Sequence, residues 1–354
     1  MSRTGIWLAA VAVVVAGLPA PVMAAGLTWQ AKVRISEDPG LSTRPAVAIS
    51  DGVVHVAWQD DVVGPGDRIF YRRSLDGGAT WEPRTKLRAK FDSSGVNHSI
   101  AAIGDAVHFV WVEGGKVFYK HSTDAGVTWI SRKRLSSKAL GHRDMAKIAL
   151  RGDEVHVVWA DTGKGAWVVF YRRSLDGGDT WLKRKRLSNT EEGSMSAAVA
   201  VRGKHVHVVW WENPGFVNYR HSSDHGATWS AVTAIGASAV SQAEASIVAT
   251  RNSIVVAWFA WLEDGQGVVY TQSRDHGGTW LNPTVISDTG NVTWDPSVAS
   301  GGDRVHLVWP ELVDGHIQVM YRKSLDDAAT WGNVKSLTKN KGDSSLPDIA
   351  DDAG

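Results

Sequence analysis

One eight-residue pattern recurs six times along the chain and constrains its fold more than any other feature. The pattern reads Ser-x-Asp-x-Gly-x-Thr-Trp, and its tryptophans lie at positions 81, 129, 181, 229, 280 and 331, so successive copies are 48 to 52 residues apart. A period of this length indicates a repeated supersecondary unit. The chain must therefore be built from stacked copies of that unit.

Each copy of the pattern has the same neighbours. A valine-rich segment such as VHVVW (155–159) precedes it, followed by a second segment that ends in tyrosine just before the turn. A short apolar segment such as PAVAIS (45–50) comes before this pair, and another short segment follows the turn. Four short antiparallel strands in about 50 residues are typical of one propeller blade. The sequence therefore predicts an all-β six-bladed β-propeller with four-stranded antiparallel blades.

The two ends of the chain bear on how this ring closes. The segment LTWQAKVRIS (27–36) reads as a lone outer strand, and LPDIA (346–350) reads as a lone inner strand. Six blades with a spare strand at each end are the simplest interpretation. A degenerate seventh blade is the alternative, and it would lack the two middle strands.

The aspartate of the repeated turn is expected to have a structural role. Its carboxylate can accept backbone N–H groups within the turn, while the glycine relieves the backbone. Only the sixth copy departs, with Ala328 in place of glycine, so we expect a local adjustment there because alanine tolerates positive φ poorly. The six structural aspartates are Asp76, Asp124, Asp176, Asp224, Asp275 and Asp326.

Residues 1–24 read as a signal peptide. Arg3 gives a positive start, and the apolar run from Ile6 to Leu18 is too short to span a bilayer. Small residues near Ala24 suit signal peptidase. An uncleaved membrane anchor is the alternative. We therefore expect residues 25–354 to form one exported domain, periplasmic or extracellular, with no membrane insertion after cleavage.

Composition excludes several classes of protein. The chain has 38 Lys and Arg against 37 Asp and Glu, so it lacks the basic excess that nucleic-acid binding requires. It has no cysteine, which excludes disulfides, cysteine-ligated zinc, iron–sulfur clusters and thiol catalysis. The recurring histidines at one strand position are better explained as core residues than as ligands. We therefore expect no metal site and no cofactor.

The 18 tryptophans are an unusual excess, and most belong to the repeat. Four do not, and they map to the face opposite the repeated turns: Trp167, Trp211, Trp261 and Trp294. Clustered apolar surface marks binding sites, and flat aromatic faces suit sugar rings. These four residues are predicted to bind a ligand on that face, with Glu212 and Glu263 beside them. The alternative is that they cover the top of the core between blades.

An acidic residue follows the tryptophan of the second strand by two positions in five of the repeats. These acids are Asp60, Glu113, Asp161, Glu212 and Glu311, and the order changes in the fifth repeat, where Glu263 comes later. One interpretation is that they cap strand ends or pair with basic residues. The other is that one or two act as general acid and base toward a sugar.

The repeated turns resemble the Asp-box, or BNR repeat, and residues 27–354 resemble the sialidase-like propeller superfamily. Arg44-Pro45-Ala46-Val47 is similar to the Arg-Ile-Pro motif that begins sialidase domains. The resemblance implies that Arg44 helps to grip a substrate carboxylate, with Arg143 as a second arginine and Asp60 or Asp61 as the acid. All six tyrosines occupy one repeat position, so none is left over as the tyrosine nucleophile of sialidases.

Three functions remain open on these grounds. The leading hypothesis is recognition of a glycan or glycoconjugate on the face opposite the Asp-boxes. The second is glycoside hydrolysis of the exo-alpha-sialidase type, using the catalytic candidates Arg44, Asp60, Asp61 and Arg143. The third is a protein-interaction scaffold whose free face binds a partner chain.

Overall fold

The computed structural model describes residues 9–15, 29, 31–37, 42–60, 68–88, 97–136, 143–162, 165–188, 193–237, 244–288, 290–339 and 342–352. These residues form strands and turns, and no helix occurs among them. The same ranges therefore contain no helix that could cross a membrane.

Six four-stranded antiparallel sheets make up most of the molecule, and in each sheet the strands follow chain order. Blade 1 contains β2 (Ser42–Ser50), β3 (Val53–Asp60), β4 (Arg68–Ser74) and β5 (Thr85–Arg88). Blade 2 contains β6 (His98–Ile103), β7 (Ala106–Glu113), β8 (Lys116–Ser122) and β9 (Lys133–Arg134). Blade 3 contains β10 (Arg143–Arg151), β11 (Glu154–Asp161), β12 (Val168–Ser174) and β13 (Lys185–Arg186).

The second half of the ring repeats this organisation. Blade 4 contains β14 (Ser194–Arg202), β15 (His205–Glu212), β16 (Phe216–Ser222) and β17 (Thr233–Ala237). Blade 5 contains β18 (Ser246–Ala249), β19 (Ile254–Leu262), β20 (Gly265–Ser273) and β21 (Thr284–Val285). Blade 6 contains β22 (Ser297–Gly301), β23 (Arg304–Val313), β24 (His316–Ser324) and β25 (Lys335–Ser336). The predicted six-bladed, four-stranded architecture is confirmed.

A partial seventh position lies between blade 6 and blade 1. Its inner strand is β26 (Ser344–Asp351), which lies between the inner strands β22 and β2 and so makes the innermost ring seven strands round. On the outside, the Trp29 ring packs edge-on against Tyr321 at 5.0 Å between centroids. The same edge-on contact joins Tyr119 to the Asp-box residue Trp181 at 4.8 Å. The C-terminal segment is therefore the inner strand of a degenerate blade. Residues 29 and 31–37 lie on its outer side but do not form the strand predicted for 27–36.

Each repeated turn is held by one carboxylate. In blade 1, Asp76 accepts hydrogen bonds from Ser74 Oγ at 2.7 Å, from the Thr80 backbone N–H at 2.8 Å and from Thr80 Oγ1 at 2.6 Å. The bonds from Thr80, then that from Ser74, lower the pKa of Asp76 to about 2. The other five turns contain the same bonds, for example at Asp176 and Asp326. These aspartates are therefore ionised, and their hydrogen bonds hold the turns together.

A tyrosine from one blade packs against the turn of the next blade. The Tyr119 hydroxyl lies so close to Gly178 that a Cβ there would overlap it, and Gly178 has a φ of +94°. The same contact recurs at the next two seams, between Tyr171 and Gly226 and between Tyr219 and Gly277. The repeated glycine is therefore required twice, by its left-handed backbone and by the neighbouring tyrosine.

The seam between blades 5 and 6 is the exception to this tyrosine–glycine contact. Each tyrosine of blades 1 to 4 and 6 is hydrogen-bonded at 2.7 Å to Nδ1 of a histidine in the adjacent strand. Blade 5 has Val255 in place of that histidine, and the following turn has Ala328 in place of glycine, with a φ of +61°. Tyr270 is correspondingly less buried, and its ring lies 5.4 Å from that of Trp331. The local adjustment expected at the sixth turn is thus a pair of changes in neighbouring blades, Val255 in blade 5 and Ala328 in blade 6.

Candidate functional site

The inner strands begin on the face opposite the Asp-boxes, and this upper face contains the candidate site. Antiparallel pairing places the start of β2 against the end of β3, where Ser42 lies opposite Asp60. The register also sets equivalent residues of neighbouring blades at one level around the axis. In each blade, one residue directly precedes the tryptophan of the second strand, and it pairs with a residue of the inner strand. These inner-strand residues are Ala46, Ser99, Lys147, Ala198, Ser246 and Ser297.

Asp348 of β26 belongs to the same level. Ser246 accepts a hydrogen bond from the backbone N–H of Val298 on the neighbouring inner strand at 3.1 Å. Asp348 accepts the equivalent bond from Val47 N–H at 2.9 Å, and a second from Ser297 Oγ at 2.7 Å. We name this set of seven residues the axial ring. Two of its members are charged where the others are alanine or serine, namely Lys147 and Asp348.

Burial raises the pKa of Asp348, and the nearby Lys147 ammonium opposes that rise. Asp348 thus holds a proton more readily than an ordinary carboxyl, even while it accepts hydrogen bonds from its neighbours. A cavity of about 370 Å³ continues along the axis below the ring and is lined mainly by alanine and branched aliphatic side chains. The axial ring therefore lies above a central channel that is lined by the polar residues Arg202 and Asp351 as well as by apolar ones.

Two carboxyl groups lie two residues before the axial ring, at the mouth of the channel. The backbone N–H of Glu244 donates to Asp295 Oδ1 at 2.8 Å. Loss of hydration, then the Glu244 carboxylate, raise the pKa of Asp295 to about 8, and Lys147 partly opposes both. Because of this shift, Asp295 is largely protonated near neutral pH beside an acidic neighbour. A carboxyl pair of this kind can donate a proton or bind a hydroxyl group.

Arg44 lies at the same mouth, on the other side of the axis. It occupies the outermost part of β2 with a φ of +53°, is exposed, and donates a hydrogen bond to Asn97 at the start of blade 2. Arg143 begins β10, but its side chain lies outside the described part of the structure, as does all of Asp61. Arg44 is thus the one predicted arginine whose side chain can be placed at the rim.

The acids that follow the second strand mostly bind the tryptophan that ends that strand. Trp58 Nε1 donates to Asp60 at 2.9 Å, and Trp210 Nε1 donates to Glu212 at 3.0 Å. Both carboxylates are buried, and each accepts a further hydrogen bond from the serine that begins its inner strand. The same indole-to-carboxylate bond recurs at Glu113 and Glu311. These bonds favour the capping interpretation of Asp60 and Glu212 over a role in proton transfer.

The fifth blade lacks this arrangement. Trp258 donates instead to the backbone carbonyl of Ala237 at 3.2 Å, and Glu263 lies exposed beyond the end of β19. The change of residue order in this repeat therefore frees one carboxylate at the surface of the upper face.

The four tryptophans outside the repeat separate into two pairs. Trp211 is 3% exposed and packs with Met195, while Trp167 is half-buried against them. These two cover the core, as the alternative interpretation of the sequence held. Trp261 and Trp294 are 52% and 47% exposed, and both lie on the upper face. Of the four predicted tryptophans, Trp261 and Trp294 are thus the two that are exposed to a ligand.

Exposed apolar side chains continue this surface around the upper face. Phe216 at the start of β16, Leu312 near the end of β23 and Leu346 in β26 are each exposed. Trp261 and Trp294 are exposed on the same face of blades 5 and 6. Trp294 directly precedes Asp295 of the carboxyl pair in the chain.

The tyrosines do not form part of this site. Tyr219, for example, is buried, accepts or donates a hydrogen bond with His207 Nδ1 at 2.7 Å, and packs edge-on against Trp280. Burial also raises the pKa of Tyr219 well above its usual value. A buried phenol with a raised pKa, close to the Asp-box end, is not placed to attack a sugar on the upper face.

Sequence reasoning missed Lys147, Glu244, Asp295 and Asp348. The signal was present as a deviation from the repeat, because the axial ring otherwise contains alanine or serine. It could be recognised only after the register had aligned the inner strands, which start at variable distances from the preceding Asp-box.

Comparison with known proteins gives a likeness of fold. No protein-family model matches the chain, and no curated protein sequence matches it. The NanB sialidase of Streptococcus pneumoniae superposes with a TM-score of 0.56 at 11% identity, over 79% of this chain and 67% of that one. A Trypanosoma rangeli sialidase mutant displaying trans-sialidase activity gives 0.56 at 14% identity, over 84% and 57%.

A protein of unknown function from Dyadobacter fermentans also superposes, with a TM-score of 0.56 at 15% identity, over 78% of this chain and 93% of that one. This chain thus spans about 57–67% of the two sialidase chains but nearly the whole of the uncharacterised one. At these identities the likeness concerns architecture alone. The chain has the six-bladed β-propeller fold of sialidases.

Proposed function

We propose that this protein binds a glycan at the mouth of the axial channel on its upper face. The observation that carries the proposal is the position of the exposed Trp294 next to the Asp295–Glu244 carboxyl pair. An aromatic face beside hydrogen-bonding carboxyl groups is the combination that sugar rings require, since it provides both a stacking surface and hydroxyl partners. Trp261 extends the stacking surface, and Lys147 and Asp348 offer polar contacts deeper in the mouth.

The proposal places the glycan in an exported protein, in keeping with the signal peptide expected at residues 1–24. It also differs from sialic-acid binding in one respect. Asp295 and Glu244 would disfavour a ligand carboxylate on their side of the mouth, whereas Arg44 would favour one on the opposite side. Neutral and acidic glycans therefore make distinct demands on this surface.

Binding to an array of neutral and sialylated glycans tests the proposal. Trp294→Ala should abolish retention of every glycan that the unaltered protein binds, and Trp261→Ala should weaken it several-fold. Leu281→Ala is the matched control, because Leu281 is also exposed but lies beyond the fifth Asp-box. Binding by the unaltered protein that survives Trp294→Ala, or an array without any binding, would contradict the proposal.

Hydrolysis of the bound glycan is the second candidate function, and the raised pKa of Asp295 favours it. A carboxyl that keeps its proton to about pH 8 can act as a general acid toward a glycosidic oxygen, with Glu244 as its partner. Asp295→Asn should then abolish turnover of a fluorogenic glycoside while glycan retention persists. Equal turnover by the two proteins would remove Asp295 as the acid.

A further inference from the structure

Among the described residues, the seventh position has no counterpart of the two middle antiparallel strands that complete the other six blades. It has the inner strand β26 and the outer contact between Trp29 and Tyr321. In the complete blades, the inner strand pairs antiparallel with a second strand of eight to ten residues, such as β11 in blade 3. The outer edge of β26 is where that second strand would lie.

A segment from the start of the chain occupies this edge. Strand β1 (Ala9–Val15) pairs with β26 from Ala9 opposite Ser344 to Val15 opposite Asp351. Its sequence, AAVAVVV, is wholly apolar. The pairing is parallel and contains an irregularity between Ala10 and Ala12, whereas every inner strand of the six blades pairs antiparallel. The edge thus accepts an extended apolar segment, although in an orientation that the repeat does not use.

The packing on both sides shows what kind of strand fits. Each of the five seams between consecutive complete blades buries one continuous apolar cluster drawn from both blades. Between blade 6 and blade 1 there are two separate clusters instead, one on each side of β26. Ile349 belongs to the cluster with Val308 and Val319, and Ala350 packs against the cluster with Trp58 and Phe70.

A strand beside β26 would therefore face an apolar wall on each side. Second strands of the other blades meet the same demand with sequences such as VHVVW in β11, where every residue is buried. The edge of an inner strand between two apolar walls is a template for strand addition, in which main-chain hydrogen bonds give affinity and side-chain pockets give specificity.

We propose that the seventh position is an acceptor site for an extended β-strand of a partner protein. The partner strand runs antiparallel to β26 and presents valine-type side chains to both neighbouring blades, as the second strands of the repeat do. β1 belongs to residues 1–24, which we expect to be removed on export, and their removal leaves this edge of β26 open to the partner strand. This site lies on the side of the ring and is independent of the glycan proposed for the upper face.

A synthetic peptide with the sequence of residues 153–162, DEVHVVWADT, is a suitable probe because it contains the whole of β11. The labelled peptide should bind the full chain saturably and slow amide hydrogen exchange in residues 344–351. The same peptide with proline at the position of Val157 is the control, since proline removes a ladder N–H and should prevent binding. No binding, binding that proline does not affect, or protection confined to other strands would each overturn the proposal.

A second measurement separates displacement of β1 from binding elsewhere. Val13 lies opposite Ile349, so Val13→Pro should loosen β1 and increase peptide affinity several-fold. Unchanged affinity in a folded variant would show that the peptide does not compete with β1. Protection of residues 344–351 that rises with protein concentration without peptide would show that a second copy occupies the site, and this too would overturn the proposal.

Discussion

The two faces of the propeller differ in how many of their residues are the same in every blade. On the Asp-box face, six turns repeat the same carboxylate staple, and at four of the five seams between consecutive complete blades they also repeat the tyrosine–glycine contact. On the upper face, the axial ring contains Lys147 and Asp348 at positions where the other blades have alanine or serine. Residues that recur in every blade are explained by the stacking of blades. On the upper face, the residues that depart from the repeat form the candidate site.

The largest expected effect tests how strictly the Asp-box face is constrained. Gly178→Ala should destabilise the protein by about 3 kcal/mol, because the new Cβ meets the Tyr119 hydroxyl in addition to the left-handed strain. Gly152→Ala is the matched control, since Gly152 has a φ of +53° but nothing within 4 Å of its Cβ position. It should cost only about 1 kcal/mol.

Denaturant unfolding of both variants measures the difference. Equal losses in the two would show that backbone conformation alone fixes the repeated glycine. The packing of one blade's tyrosine on the next blade's turn would then have no energetic weight.

The same contrast explains what the sequence could and could not predict. Blade number, strand count and the structural aspartates follow from a repeat that appears six times, and the buried tyrosines follow from their fixed position. The exposure of single tryptophans does not, because Trp211 lies opposite Met195 and is buried, whereas Trp261 lies near the exposed end of β19. Asp295 was missed since its pKa depends on Glu244 from another blade, a proximity that only the ring creates.

A second prediction concerns the pH dependence that Asp295 gives the upper face. Its pKa is raised from 3.8 to about 8, so the folded protein retains a proton that the unfolded chain releases. The resulting stability is fully present below about pH 4 and is lost as the pH rises through 8. Asp295→Asn should therefore leave the unfolding free energy at pH 4 nearly unchanged and raise it by about 1 to 2 kcal/mol at pH 9, allowing for partial exposure.

Chemical unfolding at the two pH values checks this, with Glu263→Gln as control because Glu263 is exposed on the same face. If Asp295→Asn and the unaltered protein lose stability in parallel between pH 4 and 9, the carboxyl pair is not coupled as described.

A third prediction tests a deviation on the Asp-box face itself. His205 stacks on His276 of the next blade with 4.1 Å between ring centroids. Partial burial, then the facing charges of His276, Lys204, His221 and His225, lower the pKa of His205 below 6.5. The folded state favours neutral His205, so its stability is complete above pH 6.5 and declines as the pH falls. His205→Gln should reduce acid destabilisation between pH 6.5 and 5.

The equivalent position one blade earlier provides the comparison. There Glu154 faces His225 at 2.8 Å, so the seam pairs an imidazole with a carboxylate and not with a second imidazole. Glu154→Gln should therefore increase acid destabilisation, opposite to His205→Gln. The same sign for both variants in thermal unfolding across this pH range would contradict the assignment.

The smallest expected effect concerns the paired exception at blades 5 and 6. Ala328→Gly should stabilise the protein by about 0.5 kcal/mol, since relief of left-handed strain exceeds the entropy that glycine adds to the unfolded chain. Val255→His alone should destabilise it, because the Ala328 methyl keeps Tyr270 from the hydroxyl position that the histidine would bind. Together the two changes restore the arrangement of the other seams, and a double-mutant cycle should show favourable coupling of about 1 kcal/mol. Additive effects would mean that Val255 and Ala328 differ from the repeat independently, and that this seam is not a single two-residue replacement.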